Sequence, residues 1–182
     1  MQAGIQSMST LTKLALGVMG QLRPRPTKGD ARPVIKLPAP DRRGGRTAPS
    51  AINAQEIDVY VALPDGAYLY DARKHALRLV AGSDLRRVTG YQDFVDDAPL
   101  DLVYVVDHSR MKMIPVASRE SYASAAAGAI TQNVYLFAAS SGLATVIRAW
   151  IDRSAIADAL GLTHDQHVLL SQTVGYPQAR RA

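Results

Sequence analysis

The sequence predicts an α+β fold: a mixed β-sheet packed on one long central helix, with a flexible basic arm ahead of the domain. Three observations carry this. Ile57, Val59 and Val61 alternate with Asp58 and Tyr60, which is the two-residue period of a half-buried strand. Leu102 to Val106 is an unbroken apolar run, the pattern of a strand covered on both faces. Residues 119–141 are small or apolar on most sides and stop at Gly142, which describes a buried helix. A chain of 182 residues with 47% hydrophobic content is long enough for one sizeable core.

Taken in order, the strand over 57–61 is followed by the turn Pro64-Asp65-Gly66 and a returning strand at Ala67–Tyr70. A second turn over 71–75 leads to a third strand at 76–80, completing a meander in which Tyr68 and Tyr70 are packing residues. Ser83 is placed to cap a short helix over 84–89 that Gly90 ends. After the apolar strand, Ser118 is the expected N-cap of the long helix, and Glu120 suits its positive end. Ile130, Val134 and Phe137 mark one side of that helix, while Ala123, Ala126, Ala127 and Ala129 let a neighbour or a second subunit approach closely. Leu143 to Trp150 returns as a strand. Asp152 caps a helix that runs through Leu160 to Gly161, and 167–174 is the last strand, closed by Gly175-Tyr176-Pro177.

The charge is uneven. The formal net charge is +5, yet residues 1–46 hold nine Lys/Arg against two Asp/Glu, while 47–182 hold twelve against fourteen. The basic excess thus belongs to a leader over 1–46, rich in proline and glycine, and the domain over 47–178 is close to neutral, with a short tail at 179–182. No aromatic residue precedes Tyr60, so the leader has no stacking platform and no specific nucleic-acid partner is expected. Residues 8–20 contain a short apolar core, Leu14 to Gly20, after Lys13. It is too short to span a bilayer and at the lower limit for a signal peptide. A cytoplasmic location is expected, with export as the alternative if that segment is a signal.

Other chemistries are disfavoured. There are no cysteines, which excludes disulfides and thiolate sites. His164 and His167 have Asp165 as their only neighbouring carboxylate and suit a solvated loop better than a metal site. Asp107-His108-Ser109 has the letters of a triad, but adjacent residues rarely converge on one point. No glycine-rich phosphate loop opens a helix.

The segment that asks for a ligand is Arg46-Thr47-Ala48-Pro49-Ser50-Ala51-Ile52-Asn53-Ala54-Gln55, directly before the first strand. Proline fixes one backbone dihedral, a serine hydroxyl can hold the turn, and two amides offer both donors and acceptors. Such a turn suits a ligand edge that alternates the two, as the pyrimidine end of a flavin does.

Four segments, in order, resemble the flavin-dependent nitroreductase superfamily and its SagB/thiazoline-oxidase-like branch over roughly residues 36–178. They are Pro49 to Gln55 before a strand, the hairpin Gly66-Ala67-Tyr68-Leu69-Tyr70-Asp71, the helix segment Ala127-Gly128 with Gln132 to Leu136 running on to Gly142-Leu143-Ala144-Thr145, and the closing Val174-Gly175-Tyr176-Pro177. The resemblance implies an FMN-dependent oxidoreductase. It would pass electrons from NAD(P)H or a small organic substrate through flavin to an acceptor, as a homodimer with each flavin at the interface. It implies that Pro49, Ser50, Ala51 and Asn53, with Gln55 nearby, approach the ring from the partner subunit. It places the strand after the long helix, around Arg148, Ala149 and Trp150, against flavin N5 and O4. The family commonly has glycine where Ala149 stands, and no catalytic side chain is implied. Arg148 is a candidate for the N1–O2 edge, its alternative being an ion pair with Asp152 or Asp158.

One departure stands out. The family's arginine-rich helix, which grips the FMN phosphate, has no counterpart here. The sequence passes from Lys36-Leu37-Pro38-Ala39-Pro40 almost directly to Arg46-Thr47-Ala48-Pro49, where roughly fifty residues usually intervene. Arg42, Arg43, Arg46, Arg180 and Arg181 are the available substitutes. The alternative function is therefore a non-catalytic homodimer of the same fold that no longer holds FMN.

Overall fold

Six strands form one sheet in the computed structural model, which describes residues 46–177. They are β1 (Ile57–Leu63), β2 (Gly66–Asp71), β3 (Ala76–Ala81), β4 (Leu100–Asp107), β5 (Ala144–Arg148) and β6 (Gln166–Gly175), in the spatial order β3-β2-β1-β4-β6-β5. Apart from Arg46, the predicted leader, its signal-like segment at 8–20 and the tail at 179–182 lie outside the described residues. The α+β architecture is as expected. All five described pairings are antiparallel, so the sheet is not mixed over these residues. The connections explain this. Tight turns join β1 to β2 and β2 to β3, which forces reversal. The chain then leaves β4 through a long helix to the far edge, and β6 fills the gap antiparallel to both neighbours.

Alternation along β1 and β4 divides the core into two layers. Ile57, Val59, Val61, Leu63, Leu100, Leu102, Tyr104 and Val106 point to the long helix Val116–Ser140 and pack with Ala123, Ala126, Ala127, Ile130 and Val134. Tyr60, Val103, Val105 and Val168 point the other way, onto Ile156 and Leu160 of the helix Arg153–Leu160. A short helical turn at Phe94–Asp97, here α1, precedes α2 (Val116–Ser140), and Arg153–Leu160 is α3. A buried polar chain ties sheet to helix: the Tyr104 hydroxyl donates to Gln172 Oε1 at 2.5 Å, and Gln172 Nε2 donates to the Thr131 carbonyl at 3.4 Å.

The ends of α3 are where the sequence places them. The Asp152 carboxylate accepts from the Ala155 N–H at 3.0 Å, and Gly161 takes the left-handed conformation at φ 63°. The start of α2 differs. It begins at Val116 after Pro115, and Ser118 sits inside the first turn, donating its N–H to the Pro115 carbonyl at 2.9 Å. Proline has no N–H to leave unpaired, so it can open a helix without a side-chain cap. The predicted helix over 84–89 is a 3-10 turn, Arg86–Thr89. Asp84 braces it instead of Ser83, accepting from the Arg86 N–H at 3.0 Å and its Nε at 2.9 Å.

Candidate functional site

The turn before β1 is a short 3-10 helix, Ala51–Asn53, with an unusual backbone. Ile52, Asn53 and Gln55 all have positive φ, at 48°, 56° and 51°. Left-handed backbone costs a non-glycine residue on the order of 1 kcal/mol or more, and a β-branched isoleucine tolerates it least. Local bonds hold the shape. Gln55 N–H donates to Ser50 Oγ at 2.9 Å, Ala54 N–H to the Ala51 carbonyl at 2.9 Å, and Asn53 N–H to the Ser50 carbonyl at 3.2 Å. Gln55 Nε2 donates to Asn53 Oδ1 at 3.0 Å, so the two amides form one interlocked polar surface. Pro49 and Ile52 are exposed beside it, Ile52 to 68%.

Behind the turn, Arg46, Ala48, Ser50, Asp58, Tyr70 and Ile130 line a cavity of about 30 Å³. That is roughly a tenth of the smallest usual ligand pocket, so it admits water but no tricyclic ring. A ligand of that size would lie on the outer surface of the turn, where a second surface is needed to cover it. Burial, and next the neighbouring Arg110, lower the Arg46 pKa from its ordinary value. Glu56, fully buried at the end of the turn, has its pKa raised by burial, and neither carboxylate oxygen has a hydrogen-bond partner.

The second predicted cluster lies at the end of β5, and here the side chain of Arg148 is otherwise engaged. It is 4% exposed and its Nη2 donates to Asp101 Oδ1 at 2.7 Å. Asp101 on β4 is fully buried and also accepts from the Thr173 hydroxyl. The partner is therefore neither Asp152 nor Asp158, and the guanidinium does not reach out to a ligand edge. Gly90 and Phe94 complete the niche, the Phe94 ring centroid lying 5.9 Å from Arg148 Cζ. Burial raises the Asp101 pKa to about 6 despite Thr173 and Arg148. Beyond it, the Ala149 carbonyl accepts from Arg153 Nη2 at 3.1 Å, and Trp150, 76% exposed, leans on Tyr91 with ring centroids 5.5 Å apart. Pro49, Ser50, Ala51, Asn53 and Gln55 thus lie together in the turn, Arg148 and Ala149 lie at the end of β5 and just past it, and Arg180 is outside the described residues.

Ser109 Oγ donates to Asp107 Oδ1 at 2.5 Å, while the His108 ring stacks on His167 with centroids 5.0 Å apart, so no triad forms. Among the described residues no cluster of three or more His, Asp or Glu could hold a metal ion. Asp101 and Arg110 are not among the residues that the sequence singles out. Arg110 carried a signal, because Asp107-x-x-Arg110 just past a strand is the spacing of a capped turn with an ion pair across it.

Against known proteins, the Nitroreductase family profile matches residues 31–176. The chain belongs to the nitroreductase family. A solved Ralstonia eutropha protein described as a nitroreductase is 40% identical, with TM-score 0.72, over 99% of this chain and 89% of that one. A Methanocaldococcus jannaschii protein described in the same way is 30% identical over 58% of this chain, and the match spans only 59% of that relative's length. The NADPH:FMN oxidoreductase of Vibrio harveyi shares the fold, at 22% identity and TM-score 0.52 over 72% of this chain and 55% of that one. Proteins of the nitroreductase family generally use FMN. No helix among the described residues is long and apolar enough to cross a membrane.

Proposed function

We propose that this nitroreductase is an FMN-dependent oxidoreductase of the SagB-like branch, working as a homodimer with NAD(P)H or a small organic compound as electron donor. The observation that carries the reading is the turn Ser50–Gln55, with three left-handed residues that folding alone does not require. The donor set fits the group: the side-chain amides of Asn53 and Gln55 carry both hydrogen-bond senses for a pyrimidine edge, on a surface already held in shape. FMN supplies reversible redox chemistry, while the protein binds, orients and covers it. In this reading Ser50, Asn53 and Gln55 orient the ring edge, Pro49 and Ala51 shape the wall beside them, and the chain around Ala149 closes the opposite side through its backbone. Arg148 contributes from beneath, by fixing β5. Arg180 and the leader arginines are the proposed phosphate partners.

Purified protein should be yellow and should release one FMN per chain on denaturation. A colourless preparation that takes up no FMN at millimolar excess would replace this reading with the non-catalytic homodimer.

A further inference from the structure

Arg110 sits on the 3-10 turn His108–Met111, just past β4, yet it grips the end of the strained turn far away in sequence. Its Nη1 donates to the Gln55 carbonyl at 2.8 Å, its Nη2 to the Asp58 carboxylate, and its Nε to Asp107 Oδ2 at 3.1 Å. These acceptors lie on three segments: the exit of the turn, β1 and the end of β4. The Asp107 carboxylate also accepts from the Ser109 N–H at 3.0 Å, which anchors the turn that carries Arg110. A planar fork can meet three acceptors in fixed directions, whereas a lysine ammonium would act as a single point charge.

The location matters because Gln55 is one of the three left-handed residues. Such backbone persists only where its surroundings over-determine it. Inside the turn the Ser50 hydroxyl holds the Gln55 N–H. On the other side of the same residue, Arg110 holds the carbonyl. One residue is therefore pinned on both sides of its Cα, by its own loop and by the body of the domain. The amide of Gln55 is bonded in turn to Asn53, so the direction of both amides follows from that pinning.

We infer that Arg110 is a positioning residue for ligand binding, fixing the amides of Asn53 and Gln55 in the orientation that meets the edge of a flavin ring. The inference rests on the flavin reading above and assigns that reading a residue outside the turn itself. Arg110 acts on the ring end of the ligand and not on its phosphate.

The test uses the full chain with Arg110→Lys and Arg110→Met. Three quantities are read: amide hydrogen exchange at Gln55, the dissociation constants of FMN and of riboflavin, and the melting temperature. In Arg110→Lys, exchange at Gln55 should accelerate about tenfold while the β1–β4 amides keep their protection. Affinity for FMN and riboflavin should fall by the same factor, about tenfold, because both share the ring. The melting temperature should stay within a few degrees. Arg110→Met should show the same effects, larger. If the wild type binds FMN and the variants match it in affinity and in Gln55 exchange, Arg110 has no positioning role and the flavin reading survives. A loss of melting temperature with uniform loss of exchange protection would make Arg110 a general structural residue and overturn the inference. A wild type that binds neither flavin would sink the function and the inference together.

Discussion

Arg148 and Asp101, 47 positions apart in sequence, form a buried ion pair at 2.7 Å beneath the edge strand of the sheet. The pair is incompletely satisfied: Arg148 Nε and Nη1 and Asp101 Oδ2 have no hydrogen-bond partner. Removing one member of a buried pair leaves an uncompensated charge, which costs about 3–5 kcal/mol. Arg148→Met should therefore destabilise the domain by about that amount at pH 7.5 in urea unfolding. The loss should shrink at pH 5, where Asp101 can take up a proton. A loss below about 1 kcal/mol at pH 7.5 would mean that the pair carries little.

The same carboxyl gives a pH dependence with a definite sign. Burial raises the Asp101 pKa to about 6 from the ordinary 3.8, so between those values the folded state holds the proton more tightly than the unfolded state. The slope of stability with pH is then negative in that window and flat outside it. Lowering the pH from 7.5 to 4 should stabilise the wild type by roughly 2 kcal/mol more than Asp101→Asn, whatever constant offset the substitution adds. The measurement is unfolding free energy against pH for both proteins. Parallel curves would contradict it.

Gly90 matters for space. Its backbone is extended, but a Cβ built on it would lie 1.8 Å from Arg148 Nη1 and 2.9 Å from Cζ. The guanidinium cannot simply swing aside, because Asp101 and Phe94 hold it. Gly90→Ala should cost about 1–3 kcal/mol by overpacking. Gly82→Ala, where nothing lies within 4 Å of the added carbon, is the control and should cost far less. Introduced into Arg148→Met, Gly90→Ala should lose most of its effect, because the two residues share one space. Full additivity in the double variant would show that the clash lies elsewhere.

The strands and both longer helices were legible because each is longer than a full period of its own pattern. Two short turns, Phe94–Asp97 and His108–Met111, were not, since four residues carry no periodicity. The polar turn before β1 was legible as a candidate site from its proline, serine and amides. Its strain was not, because nothing in the letters Ala-Ile-Asn announces a left-handed isoleucine. Asp101 was hidden for a different reason. In a strand an aspartate reads as solvent-facing, and only the register, which sets Asp101 opposite Thr173 and Arg148 opposite Ser171, shows that both lie on a covered face.

Asn53 is proposed above to face the ring, and its removal separates binding from folding. Its side chain accepts from Gln55 Nε2, and at φ 56° asparagine tolerates the left-handed backbone better than alanine does. Asn53→Ala should therefore cost the fold about 1 kcal/mol, leaving it folded, and weaken FMN about tenfold, the worth of one or two hydrogen bonds. FMN retained per chain after gel filtration is the readout. Undiminished retention would take Asn53 out of the site.

The outer face of α2 is the place to test the proposed homodimer. Ser121, Ala125, Gly128, Gln132 and Leu136 are exposed along it at helical spacing, and none is charged. A helix face that stays in water normally carries charge, so this surface has the composition of one that is covered. Nothing lies within 4 Å of a Cβ added at Gly128. In a lone chain, Gly128→Arg would therefore fold as well as the wild type or better, since glycine costs a helix up to about 1 kcal/mol. Between two packed copies the same arginine has no room. Gly128→Arg should keep its circular dichroism and its melting transition, halve the mass seen by light scattering, and lose flavin because the covering surface has gone. A variant that scatters as the wild type does and stays yellow would place the interface, and the shared site, on another face.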